Sequence, residues 1–332
     1  MIVKNLYAYY VARHGLEVKA VDGISLSVDE DEVFGIVGES GCGKSTLASV
    51  MSLTAGRTLK VKGGEILLDG QRLPLEEQTE VPRDWHGEKV ALLPQRAMNS
   101  LNPTARVRDI VVDVVRAHHP GTRPREALQQ ARERLEQLSL PVRVLDSYSH
   151  QLSGGMRQRT VAAISTMLNP KVLIADEPTS ALDVSSQKQF VVFIQQLLER
   201  GFITRIVYIT HDLPLLSNIA DRVAVMYAGK IVEVGTTEEI INHPKHPYTQ
   251  ALIASTLDLD LRVRARRIEG IPGAPPDLRY PPSGCRFHPR CPYVMDVCSR
   301  EEPSVVGVDE CFAACWWAQE QSEKVSFKET EP

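Results

Sequence analysis

No run of about 20 apolar residues, the length that spans a bilayer as a helix, occurs in this 332-residue chain. Its first residues, MIVKNLYAYYVARHG, lack the basic region and apolar core of a secretory leader. The sequence therefore predicts a chain that is neither exported nor membrane-spanning by itself. Aromatic residues make up only 6% and the formal net charge is only −4. Without a strong basic field, nucleic acid is not an expected partner. Internal repeats are absent. Cysteine is nearly missing from the first 284 residues, where only Cys42 occurs, and the other five of the six fall between Cys285 and Cys315. In a reducing compartment that concentration suits a metal better than disulfides.

What remains is a chain of ordinary globular composition, 43% hydrophobic and 24% charged, long enough for a large core and an appended module. KNLYAYYV and KAVDGISLSVDEDEVFGIVG alternate with strand period, with turns expected at His14-Gly15, Asp22-Gly23 and Asp29 to Asp31. VFGIVG then enters a glycine loop followed by the helical STLASVMSLTA, and GGEILLDGQRL and KVALLPQ read as further strands. A helical insertion follows at about 97–167, containing IVVDVVRAHH, PREALQQARERLEQLSL and MRQRTVAAISTML. Strand signals return in KVLIADEP, RIVYIT and RVAVMYAGKIVEVG, around the helix QKQFVVFIQQLLERG. The fold class is α/β, with parallel βα units closing a domain over 1–235. An extension rich in Pro and Cys occupies 236–332 and ends in a polar tail, SEKVSFKETEP, expected to be disordered.

GESGCGKST, Gly38 to Thr46, fits a phosphate-binding loop and lies between a buried strand and a helix, the context the motif requires. Gly38, Gly41 and Gly43 allow a concave nest of N–H groups that includes Glu39, Ser40 and Cys42, and the helix beginning near Ser45 aims its positive end at the same point. Lys44 would reach the β- and γ-phosphates of ATP, and Ser45 would ligate Mg²⁺. Cys42 is expected to fill space in the loop, since no base is visible for it. In KVLIADEP, Asp176 and Glu177 emerge at the end of a buried strand, where open α/β sheets form their sites. Asp176 is expected at Mg²⁺, directly or through a second shell, and Glu177 at the water that attacks the γ-phosphate.

With LSGGM at Leu152 to Met156 the chain resembles the ABC transporter nucleotide-binding domain. The order matches throughout: glycine loop, Gln95, Ser153-Gly154-Gly155, Asp176-Glu177, SALD from Ser180 to Asp183, and His211. The resemblance implies a RecA-like P-loop core with an antiparallel β subdomain and a helical subdomain. It implies that Gln95 completes Mg²⁺ ligation, that His211 contacts the γ-phosphate, and that Tyr10, or less favourably Tyr9, stacks on adenine. It also implies a head-to-tail dimer with a second, related ATPase subunit, each LSGG serving the other's ATP, while Met98 to Pro103 border the groove for a permease.

HQLSGGMRQR carries Met156 where most such proteins have Gln, and HPYTQAL (His246 to Leu252) and PPSGCRFHPRCP (Pro281 to Pro292) match the extension of one branch. This branch serves importers of oligopeptides, dipeptides, nickel or oligosaccharides, and Ser149 stands where it usually has Pro. Its members work peripherally at the cytoplasmic face of the membrane, with two permease subunits and an extracellular solute-binding protein. The thiols of Cys285, Cys291, Cys298 and Cys315, with five, six and sixteen residues between them, could cage zinc or an iron-sulfur cluster, or stay metal-free. Resemblance favours a 4Fe-4S cluster, with Cys311 as the competing fourth ligand. Soluble ABC ATPases acting on DNA or ribosomes usually carry long coiled-coil insertions or two cassettes in one chain, and exporters or lipid transporters share the motifs without the HPYT and cysteine extension.

Overall fold

The computed structural model describes residues 1–11, 15–75, 80–95, 97, 100–255, 270–304, 306–308 and 311–321. Near the start, β1 (Ile2–Val11) and β2 (Glu17–Ser27) join β4 (Leu59–Leu68) and β5 (Gln71–Arg72) in an antiparallel sheet of order β2-β1-β4-β5. The central sheet holds β3 (Glu32–Val37), β6 (Val90–Leu93), β7 (Val172–Asp176), β8 (Arg205–Thr210), β9 (Arg222–Tyr227), β10 (Lys230–Thr236), β11 (Val306–Val308) and β12 (Cys311–Ala313). Its order is β11-β12-β10-β9-β3-β8-β7-β6, parallel from β9 to β6.

The apolar runs of the parallel strands have no polar alternation because both faces are covered. Leu173, Ala175, Ile206 and Tyr208 point into one core, shared with the helical insertion, while Val172, Ile174, Val207 and Ile209 point into the other, shared with the antiparallel sheet. Between that second face and β1–β2 lies α1 (Lys44–Met51). The insertion comprises α2 (Val107–His118), α3 (Pro124–Gln137) and α4 (Gly154–Ser165). Helix α3 begins with Pro124, the Glu126 carboxylate accepting the Arg123 N–H at 3.1 Å, and buries Ala127, Ala131 and Leu135 at helical spacing. Helices α5 (Val184–Glu199) and α6 (Leu213–Leu216) follow β7 and β8, and α7 (Thr237–Asn242) and α8 (Pro247–Ala254) follow β10.

The structure differs from the sequence expectation at Asp22-Gly23. Strand β2 runs through both residues, and the pairing slips by one between Leu6↔Ile24 and Tyr7↔Asp22 while Gly23 takes φ 77°. A bulge with a left-handed glycine has the same local chemistry as a turn, so the two look alike in sequence. The segment after Gly235 also does more than trail the domain: β12 pairs with β10 through Glu233↔Ala313 and Val234↔Phe312, extending the central sheet. His14 and the polar tail from 322 to 332 lie outside the described residues.

Candidate functional site

The glycine loop leaves β3 and caps α1, with Gly43 at φ 112° as the helix N-cap. Glycine is required at both ends of the loop by close backbone packing. A Cβ on Gly38 would stand 2.1 Å from the Met226 carbonyl oxygen, and one on Gly43 would stand 1.9 Å from that of Ala20. Lys44 is buried, its ammonium donating to the carbonyls of Gly38 at 2.6 Å and Glu39 at 3.0 Å. Burial raises the thiol pKa of Cys42, the direction of an unreactive sulfur.

Beside the loop opens a cleft of about 420 Å³ lined by Tyr10, Val18, Ala20, Ser40, Gly41, Gly43, Lys44, Ser45, Thr46, Gln95, Glu177 and Leu278. Tyr10 is 37% exposed, and its hydroxyl accepts from Thr46 Oγ1 at 3.3 Å. Tyr9 instead donates to Asp22, which also receives Arg286. Of the two tyrosines, Tyr10 is the one with a face open to the cleft.

Strands β7 and β8 end side by side and bring the acid and the histidine together. Glu177 sits at φ 44°, a left-handed conformation that costs a non-glycine residue about 1–3 kcal/mol, and its N–H donates to Ile209 O at 2.8 Å. Its carboxylate receives Gln95 Nε2 at 2.7 Å and meets His211 Nδ1 at 3.2 Å. Asp176 is 7% exposed, and its carboxyl is pushed up by burial, against a hydrogen bond from Ser45. Its Oδ1 is buried without a partner. An orphaned acceptor beside a hydroxyl and a phosphate loop fits a divalent cation, which would supply the missing positive charge.

Ser153 caps α4, accepting from Met156 N at 3.3 Å. None of the described residues lining the cleft comes from Ser153, Gly154 or Gly155. Two expected loop neighbours, Met98 and Asn99, lie outside the described residues.

Glu39 departs from the expected role. Its N–H donates to Tyr248 Oη at 2.9 Å, and its carboxylate is forked by Arg290 at 2.7 and 3.0 Å, so it faces the extension and not the cleft. Sequence reasoning missed Arg290, Arg286, Tyr248 and Leu278. The HPYT segment was visible as a motif, but its contact was not: His246 Nδ1 accepts from Tyr248 N at 3.0 Å, capping α8 and turning the tyrosine toward the loop.

The cysteine set is only partly gathered. Burial pushes the Cys285 thiol up to about 12 and Cys291 up to about 11, and the charges of Cys315 and Cys298 add to both. Cys311 instead hydrogen-bonds Glu239. Among the described residues no three His, Cys, Asp or Glu side chains are arranged to hold a metal ion. The four-thiolate cage expected from the spacing is therefore not formed by the arrangement of the described residues.

A glycine loop at a strand–helix junction, with a carboxylate at the neighbouring strand end, defines a phosphate-loop nucleoside triphosphatase. The ABC transporter family model matches residues 21–180, and that of the oligopeptide/dipeptide transporter C-terminal region matches residues 232–298. The dipeptide transport ATP-binding protein DppD of Caldanaerobacter subterraneus subsp. tengcongensis is 42% identical, covering 94% of this chain and 95% of its own. The oligopeptide transport ATP-binding protein OppD of Bacillus subtilis is 40% identical over 97% of this chain and 90% of its own. Among solved structures, the dimeric MJ0796, a bacterial ABC transporter cassette, has a TM-score of 0.59 at 23% identity, covering 71% of this chain and 98% of its own. The chain belongs to the ABC transporter family of dipeptide and oligopeptide transport ATP-binding proteins.

Proposed function

We propose that this chain is the ATP-hydrolysing subunit of a peptide-importing ABC transporter, a reading carried by Glu177 held between Gln95 and His211 at the mouth of the phosphate-loop cleft. Tyr10 stacks on the base, and the loop N–H groups with Lys44 hold the phosphates. A water attacks the γ-phosphorus, its proton passes to Glu177, and the bond to the ADP oxygen breaks. His211 orients that carboxylate and meets the γ-phosphate, while Gln95 exchanges its bond to Glu177 for the nucleotide side of the site. Mg²⁺, held by Ser45, Asp176 and Gln95, would neutralise charge on the phosphates.

Because Ser153 to Gly155 stand apart from their own chain's cleft, a second and related ATPase subunit supplies the signature that completes it, and closure of the pair is the power stroke. Among the described residues no helix is long and apolar enough to cross a membrane, so two permease subunits carry the path and this chain sits peripherally at the cytoplasmic face of the membrane. An extracellular binding protein selects the solute. The domain limits proposed are 1–235 for the ATPase unit and 236–332 for the extension. Reconstitution with the permeases tests the reading: ATP turnover should rise with peptide-loaded binding protein. Stimulation by an oligosaccharide-loaded or nickel-loaded protein and not by peptide would move the solute to the other members of the branch.

For the extension we propose a 4Fe-4S cluster on Cys285, Cys291, Cys298 and Cys315. The spacing of the four cysteines and the resemblance of the extension are what support that donor set, and Cys311, engaged with Glu239, is left out of it. The cluster would be structural. Anaerobic purification with iron and acid-labile sulfide analysis tests it; zinc, or thiols titrating free in the native chain, would overturn it.

A further inference from the structure

An anion-binding loop gains nothing from a carboxylate of its own, because a negative side chain near a polyphosphate opposes binding. Glu39 nevertheless lies inside GESGCGKST. Arg290 covers it with two parallel hydrogen bonds, and its side chain is only 6% exposed. That arginine is prepared for the task, since its Nε donates to Pro272 O at 2.7 Å and its Nη1 to Tyr227 Oη at 3.2 Å. Tyr248 meanwhile takes the Glu39 N–H. Both the side chain and the backbone of one loop residue are thus held by groups beyond residue 240, and Leu278 of the same extension, anchored by Lys19 N at 3.0 Å, lines the cleft.

We propose that Arg290 is a positioning residue for nucleotide binding: it neutralises Glu39 and, with Tyr248, sets the first turn of the phosphate loop, so that the C-terminal extension governs the affinity of the chain for ATP. A fork of this kind is the strong, geometry-specific form of an ion pair. Removing only the arginine leaves an uncompensated carboxylate in the loop that holds the triphosphate. The penalty therefore scales with the charge of the ligand, which a loss of fold alone would not reproduce.

The test is equilibrium binding of ATP, ADP and adenosine to the full chain carrying Arg290→Gln, Glu39→Gln or both, with melting curves alongside. Arg290→Gln should weaken ATP about tenfold, ADP less and adenosine hardly at all, a difference of the size expected for one uncompensated charge near the surface. The double variant should return ATP affinity to within about twofold of the original, as coupled sites do in a double-mutant cycle. Unchanged ATP affinity in Arg290→Gln, equal losses for all three ligands, or no recovery in the double variant would each overturn the proposal. If Arg290→Gln does not fold, Arg290→Met carries the same comparison, since it too removes the charge while keeping most of the volume of the buried stem. The proposal rests on the cleft being the ATP site; a native chain that binds no nucleotide would defeat that reading first, before any variant is compared.

Discussion

Lys44 bonds carbonyls five and six positions away in its own loop, whereas Arg290 bonds a carboxylate 251 positions away. The two cations flank the same stretch of backbone and were built on different scales. The phosphate loop is a contiguous string whose conformation follows from local glycine sterics and a helix start. The extension reaches that loop through tertiary packing: Tyr227 of β9, Tyr248 of α8 and Phe287 stand within ring-centroid distances of 4.5 to 5.4 Å of one another. The contrast teaches that chemistry can be encoded locally while its adjustment is encoded at long range.

The comparison can be sharpened most at the local end. Glu177→Gln should lower ATP turnover about a thousandfold, the range of a lost general base, while leaving ATP binding intact, as read by phosphate release and equilibrium binding. Normal turnover in that variant would remove Glu177 from the chemistry. At the long-range end, Phe287→Ala should cost about 3 kcal/mol of stability, as for other buried aromatic truncations, and should weaken ATP binding as well. Denaturation and binding measured on one sample check this, and a destabilised chain with unchanged ATP affinity would separate the two regions.

Smaller effects divide the neighbouring tyrosines. Tyr10→Ala should weaken ATP about tenfold, the value of one base–aromatic stack, with little change for inorganic triphosphate. Tyr9→Phe should leave nucleotide affinity alone and cost about 1 kcal/mol of stability through its lost bond to Asp22. The reverse pattern would exchange their roles.

The remaining effect is a pH slope in the extension. Burial pushes His246 down to about 3, so between that value and the ordinary histidine range the unfolded chain binds a proton that the native chain does not. Stability should therefore fall as pH drops below about 6.5, by at most about 1.4 kcal/mol per unit. Glu233, whose carboxylate accepts the backbone N–H groups of Lys245 and His246, is raised by burial and contributes the opposite slope. Melting against pH should be flatter in His246→Asn than in the native chain. Equal slopes would show that His246 does not titrate on unfolding.

Much of the molecule was legible because its signals are local. The strand–loop–helix around Lys44, the helices of the insertion, and the apolar run ending at Asp176-Glu177 follow from periodicity and glycine placement. The Asp22-Gly23 bulge was not, because a left-handed glycine serves a turn and a bulge equally well. Nor was the direction in which Glu39 faces, since its partners Tyr248 and Arg290 are 209 and 251 residues away. The cysteine spacing announced a donor set but could not say which sulfurs approach: Cys311 had the position to compete, and only its place on β12 turned it toward Glu239.

By itself, then, the sequence determined the α/β class, the phosphate loop and the family, because glycine sterics, buried-strand composition and motif order need no distant partner. Only tertiary structure decided that Glu177 stands between Gln95 and His211, that Tyr10 and not Tyr9 opens to the cleft, and that the extension grips the loop through Glu39. The reason is physical: ion pairs and ring contacts between residues hundreds of positions apart depend on where sheets and helices finally pack, and no local pattern carries that information.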